Sequence, residues 1–452
     1  MTKSKSTSIS KSSKSTSLLI LAAILCILSL TCPEPARARI FIDINAPSIR
    51  QLRISIPPFE NRTPEAAHPD LGPKLAGVVS NDLELSGYFI SIEEEAFLPG
   101  AVEDIARERI RFKDWSVIGS ELLLACSYRG VGNSVELEAR LYDVFRGRRV
   151  YSKRLLGKID EHRALAHRLS NEILYLLTGQ KGMFLSRFAF VNRRKGKKQM
   201  IKEIFTCDVD GHNIKQITFD KSIALLPRWS PDGRKLLYNS YKDGGPMLFL
   251  KDLSTGMDRR ISSRTGLNIG ACWDPKGGRR VALTLSHGNN PDIYTIDLKG
   301  NILDQITRHW GIDVSPAFSP DGSRIAFVSN RSGSPQIFIR DLSSGAERRL
   351  TFEGKYNTSP AWSSLDRIAF SGMSNGRIDI YTIRADGTDL RNLTGGRGNN
   401  EDPCWSPDGR YLAFSSNREG GYHLYVMTAS GHNPRRITFG NGEQTSPSWS
   451  PF

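Results

Sequence analysis

Cysteine is scarce in this chain, six residues in 452, and two of the six, Cys26 and Cys32, fall near the start. The other four, Cys126, Cys207, Cys272 and Cys404, form no Cys-x-x-Cys pair and show no metal spacing with histidine, which argues against a zinc site and a disulfide framework. Free, buried thiols are expected. There is no His-Glu-x-x-His, and no glycine-rich phosphate loop follows a strand. Neither a metal nor a cofactor is expected. Membrane-length apolar runs are missing too, since the run from Leu18 to Leu30 is too short for a stable span.

That short run has lysines ahead of it and Ala36-Arg37-Ala38 behind it, so residues 1–38 read as a secretory leader cleaved before Arg39. Lipidation at Cys32 is the weaker reading, because Thr31 stands where a small residue usually precedes such a cysteine. Removing residues 1–38, with five cations and one acid, takes the formal charge from +15 to +11. The densest basic run, Asn192 to Lys198, has no interleaved aromatics and falls on a predicted hairpin tip, so a solvated turn is expected and nucleic acid is not. Acidic partners or an anionic envelope suit the surplus better.

What the chain has in quantity is a repeat. Trp229, Trp273, Phe318, Trp362, Trp405 and Trp449 head similar segments, spaced by 44, 45, 44, 43 and 44 residues. A second signature, an apolar pair, a turn and Ile/Leu-Thr/Ser, recurs six times at the same period, as in "IYTIDLKGNILDQIT" from Ile293. Four short strands in about 40–45 residues is the size of one β-propeller blade. Six blades are predicted over 183–452. The first blade, from Ser186, has no Trp-led strand in front of it, and the last Trp-led strand has none behind it. The C-terminal strand is therefore expected to complete the first blade and close the ring.

Residues 39–182 read differently. A strand from Leu52, a helix from Leu71 with Leu75, Val78, Val79 and Leu83 on one face, alternating strands from Trp115 to Gly157, and a helix from Asp160 to Gly179 predict a small α/β domain. His162 and His167 on that last helix are five residues apart and are expected at the surface, not as a metal pair. "GMSNG" from Gly372 matches a nucleophile elbow, but it lies between two predicted blade strands, so a hairpin tip is the better reading.

The leader, the α/β domain, "WSVIGSELLLACSYR" from Trp115, "LTGQKGMFLSRFAFV" from Leu177, six "WSPDG"-type blades and a terminal "WSPF" together resemble the TolB family of the bacterial Tol-Pal system. The resemblance implies a periplasmic, non-enzymatic protein that serves outer-membrane integrity and cell division. It would bind the peptidoglycan-associated lipoprotein Pal through the propeller and TolA through an N-terminal arm, residues 39–48. Ile40, Phe41, Ile42, Asp43 and Ile44 are the arm's candidate contacts. The sequence departs from the family's Gly/Ser-rich pattern after Asp43.

Five residues before each repeat aromatic stand Ala224, Asn268, Asp313, Asn357, Asn400 and Gln444. Their loops gather at one end of the channel, so the five polar ones are candidates for Pal contact. Short amides and Asp also cap turns, and both readings stay open. A hydrolase or lyase working at the channel mouth is the alternative function, with His309 among its few candidates.

Overall fold

The structure is a computed structural model that describes Ile42 and residues 50–64, 67–196, 199–286 and 290–452. The leader and the arm residues Ile40, Phe41, Asp43 and Ile44 lie outside the described residues. Ile42–Phe452 form one compact unit.

The α/β part begins with β1 (Leu52–Ser55), β2 (Glu60–Asn61), α1 (Leu71–Leu85) and β3 (Phe89–Ile92). It continues with α2 (Ala101–Ala106), α3 (Phe112–Val117), β4 (Leu122–Val131), β5 (Ser134–Asp143), β6 (Arg148–Lys158) and α4 (His162–Thr178). The sheet order is β3-β1-β4-β5-β6, with β2 beside β4. β1 runs parallel to β3 and β4, while the long β4-β5-β6 meander is antiparallel. α1 forms because its apolar residues recur at helical spacing; Leu75, Val78, Val79 and Leu83 are all buried. α4 ends at Gly179, whose φ of 70° is the left-handed conformation that glycine adopts at a helix end.

One boundary differs from the sequence expectation. Trp115 to Val117 belong to α3, not to a strand. Trp115 is the reason: the short helix puts its indole into the core, edge-on to Phe97 at 5.1 Å, and the strand starts only at Leu122.

Among the described residues the rest of the chain forms six four-stranded antiparallel sheets. Blade 1 combines Glu443–Trp449 with Arg187–Lys195, Met200–Asp208 and Lys215–Gln216, so the C-terminal strand closes the ring as expected. Blades 2 to 6 start at Ala224, Asn268, Asp313, Asn357 and Asn400. The "GMSNG" segment is a hairpin: Ser374 pairs with Arg377, and Asn375 and Gly376 turn between them with φ of 51° and 75°.

Every inner strand breaks register once, three residues before its aromatic. Leu226, Gly270, Ser315, Ser359, Asp402 and Ser446 all take φ between 52° and 65° there. Each is a bulge that bends the strand around the channel. Asp402 also ties three blades together, its carboxylate accepting from Ser359 Oγ at 3.0 Å and Ser446 Oγ at 2.8 Å.

Candidate functional site

The polar ring read from the sequence sits where expected along the chain, at the start of each inner strand. Its side chains, however, are turned inward. Asn268, Asp313, Asn357, Asn400 and Gln444 are at most 4% exposed. Asn268 Oδ1 accepts from Ser262 Oγ of the preceding blade at 2.6 Å and from Arg264 N at 3.0 Å. Asn357 Nδ2 donates to Gln336 Oε1 at 2.9 Å, and Asn400 Nδ2 to Asp379 Oδ1 at 3.1 Å. Gln444 Oε1 meets His423 Nδ1 at 2.6 Å, and Asp313 pairs with Arg331 at 2.7 Å.

Four of these five contacts reach groups on the blade before, and the repeated threonine explains why. Thr307, Thr351, Thr394 and Thr438 each accept a backbone amide from their own blade's third strand at 2.9–3.0 Å. Thr351 and Thr394 then donate to Gln336 and Asp379, the same groups that hold Asn357 and Asn400. The ring residue and the Ile-Thr signature are thus two halves of one blade junction; Asn400 and Gln444 also bond within their own blades, to Ser416 and Asn192, and the Asp313 ion pair with Arg331 lies within its blade.

What this end of the propeller presents outward is aromatic. Phe219, Trp310, Phe352 and Phe439 are 65–75% exposed, far beyond ordinary for such side chains. All four lie on connections from the outer strand of one blade to the inner strand of the next, so they share one end of the ring. Arg349 stacks on Phe352 and Arg436 on Phe439, each at 4.9 Å, and His309 lies beside Trp310 at 5.1 Å. His309 Nδ1 accepts from Gly311 N at 3.0 Å, a turn contact. Sequence reasoning missed this belt, although three of its members follow the Ile/Leu-Thr signature directly.

The opposite end carries the α/β part. Tyr411 Oη donates to Ser86 O at 3.0 Å, Asn433 Nδ2 to Glu84 O at 3.1 Å, and Arg435 pairs with Glu84 at 2.8 Å. The same seam overturns one expectation. His162 is half-buried, with Nδ1 on Ile159 O, and His167 is fully buried. Its face of α4 turns toward α1 and the propeller, where Asp82 and Asp210 supply the polar partners that a surface reading did not need.

Of the arm, Ile42 is described. It is buried, and its N–H donates to Leu177 O at 2.7 Å, one of the carbonyls that the end of a helix leaves free.

The family model described as the TolB beta propeller domain matches residues 175–371 and 365–452, and the TolB amino-terminal domain matches 40–150. A protein TolB homolog of Chlorobium luteolum is 41% identical over 286 residues, 62% of this chain and 64% of that protein. The Tol-Pal system protein TolB of Desulfosudis oleivorans is 40% identical over 297 residues, 65% of each chain. These matches span just under two thirds of the relatives' lengths. The crystal structure of TolB from Acinetobacter baumannii superposes with a TM-score of 0.78 at 26% identity, covering 92% of this chain and all of that one. With both domain models matched in order and a solved relative overlaid along nearly its full length, the chain belongs to the TolB family.

Proposed function

We propose that this protein is a non-enzymatic adaptor of the Tol-Pal system in the periplasm, delivered there by cleavage of residues 1–38. It binds the Pal lipoprotein at the aromatic end of the propeller and TolA through the arm 39–48, supporting outer-membrane integrity and division. The family membership and the relatives' names support the system. The observation that carries the adaptor reading is the belt of Phe219, Trp310, Phe352 and Phe439, an exposed apolar surface with two arginines, which is the composition of protein interfaces.

In this reading Asn268, Asp313, Asn357, Asn400 and Gln444 serve Pal binding by fixing the connections that display the belt. Ile42 marks where the arm docks on the chain itself, and Ile40, Phe41, Asp43 and Ile44 would extend that contact or exchange it for TolA. Calorimetry with purified Pal tests the surface. Trp310→Ala combined with Phe352→Ala should weaken binding tenfold or more, about 1.4 kcal/mol, with little change in melting. Undiminished affinity in that variant would move the Pal site elsewhere.

A further inference from the structure

We propose that His167 is a proton-operated latch that holds the α/β part on the propeller. The imidazole lies between two carboxylates from different elements. Nδ1 is 2.8 Å from Asp82 Oδ2 on α1, and Nε2 is 3.5 Å from Asp210 Oδ2 in the turn after the third strand of blade 1. All three side chains are buried. A neutral imidazole has one N–H and offers it to only one of the two; the protonated ring carries an N–H on each nitrogen and a positive charge that both carboxylates attract. Protonation therefore decides whether the bridge spans the seam.

Charge leads to the same assignment. Arg163, one turn before His167 on α4, pairs with Asp210 and balances one carboxylate. Asp82 is left without a cation of its own, and a proton on His167 supplies it. Among the described residues Asp82 Oδ1 and His167 Nε2 have no hydrogen-bond partner, and Nε2 stands at ion-pair distance from Asp210, so it is the charge of the ring that reaches across the seam. The remaining titratable neighbours do not compete. His212 approaches Asp210 from the solvent side, with Nδ1 3.4 Å from Oδ1, Cys207 is a buried thiol that burial keeps neutral, and Glu84 is already paired with Arg435.

Burial by itself would lower the His167 pKa, but the Asp82 hydrogen bond and the charges of Asp82 and Asp210 outweigh it and hold the ring above the ordinary histidine value. A raised folded-state value means that the latch contributes fully below about pH 6.5, the value of a free histidine, and is lost as pH rises through the folded value. Burial raises Asp82 as well, and its effect has the same sign but begins lower, above about pH 4. His162 and His423 shift the other way, chiefly through burial, and serve as internal references.

The test is a nitrogen-15 titration of the imidazoles in the intact protein, combined with amide exchange along the seam. The expected result is a His167 ring protonated on both nitrogens at about pH 6, with a midpoint above about 6.5 while those of His162 and His423 fall below it. Exchange in α1 and around Asp210, corrected for its intrinsic pH dependence, should rise by up to about tenfold per pH unit across the same window. Asp210→Asn should lower the His167 midpoint and flatten that rise, while the strands of blades 3 and 4 keep their protection. A neutral His167 at pH 6, or seam exchange that ignores pH, overturns the latch even if the variant misfolds. Movement of the His167 resonances on chelation at constant pH also overturns it, because a bound cation would then hold the seam.

Discussion

The indole Nε1 of Trp449 donates to the hydroxyl of Ser186 at 2.7 Å, a contact that spans 263 residues of chain and joins the two ends of the propeller. The indole also packs on Phe188 at 4.6 Å, and Ser450 N donates to Arg187 O at 2.8 Å. Trp449→Ala should cost about 3–5 kcal/mol, the usual loss on truncating a large buried aromatic. Deleting 446–452 should do more, since it also exposes the edge of Arg187–Lys195. Differential scanning calorimetry of both variants checks this, and an unshifted melting temperature in the deletion would mean that blade 1 does not depend on its last strand.

Blade junctions should be costly to break even though they are polar. Asn400→Ala leaves Asp379 Oδ1, Ser416 Oγ and Arg418 each short of a buried partner. The expected loss is about 1–3 kcal/mol by urea denaturation. Trp310→Ala, at the exposed belt, should stay within about 0.5 kcal/mol of the parent. Equal losses from the two changes would contradict the division between junction and surface.

Leu226 occupies the bulge position at φ 53°, where the other five blades use Gly, Ser or Asp. Leucine has no side-chain polar group to favour that conformation, which costs an L-residue about 1–2 kcal/mol. Leu226→Asn should therefore raise stability, by up to about 1 kcal/mol. A lower urea midpoint would show that packing of the leucine outweighs the strain.

The thiols should be silent at neutral pH. Burial pushes Cys272 and Cys404 up to about 12, and drives Cys126 and Cys207 higher still. At pH 8 a thiol of that kind is thiolate in only about one molecule in ten thousand. Thiol-reactive dye should label the four slowly in the folded protein and quickly in denaturant. Fast labelling of the native protein would mean that the strands carrying these thiols, in the α/β sheet or the blades, open locally.

Repetition made most of the fold legible. Six aromatics at a constant interval, Asp-Gly turns and a Trp-led strand left over at each end predict blades and closure, because a blade is built from hydrogen bonds between neighbours in sequence. Helices α1 and α4 were readable for the same reason, through apolar spacing and their terminal glycines. The α3 turn was not, since Trp115 is helical on account of a pocket made by Phe97 and the sheet. The polar ring was found in position but not in orientation. An asparagine before a strand can face solvent or a junction, and only Gln336 or Asp379 on the adjoining blade decides which.

The sequence by itself determined what depends on short-range geometry: the period, the strand turns, the helix ends and the pairing of the two chain ends into one blade. Tertiary structure alone decided the fate of particular side chains. His167 sits 85 residues from Asp82 in sequence; its local pattern predicts a surface histidine, but α1 and a blade turn close over it. Leu350 and Phe352 stand two positions apart in the connection that follows Glu347–Arg349, yet the first is buried and the second exposed. The physical reason is common to both cases. Burial and pairing depend on which distant element fills the space beside a residue, and no local pattern of residues encodes that.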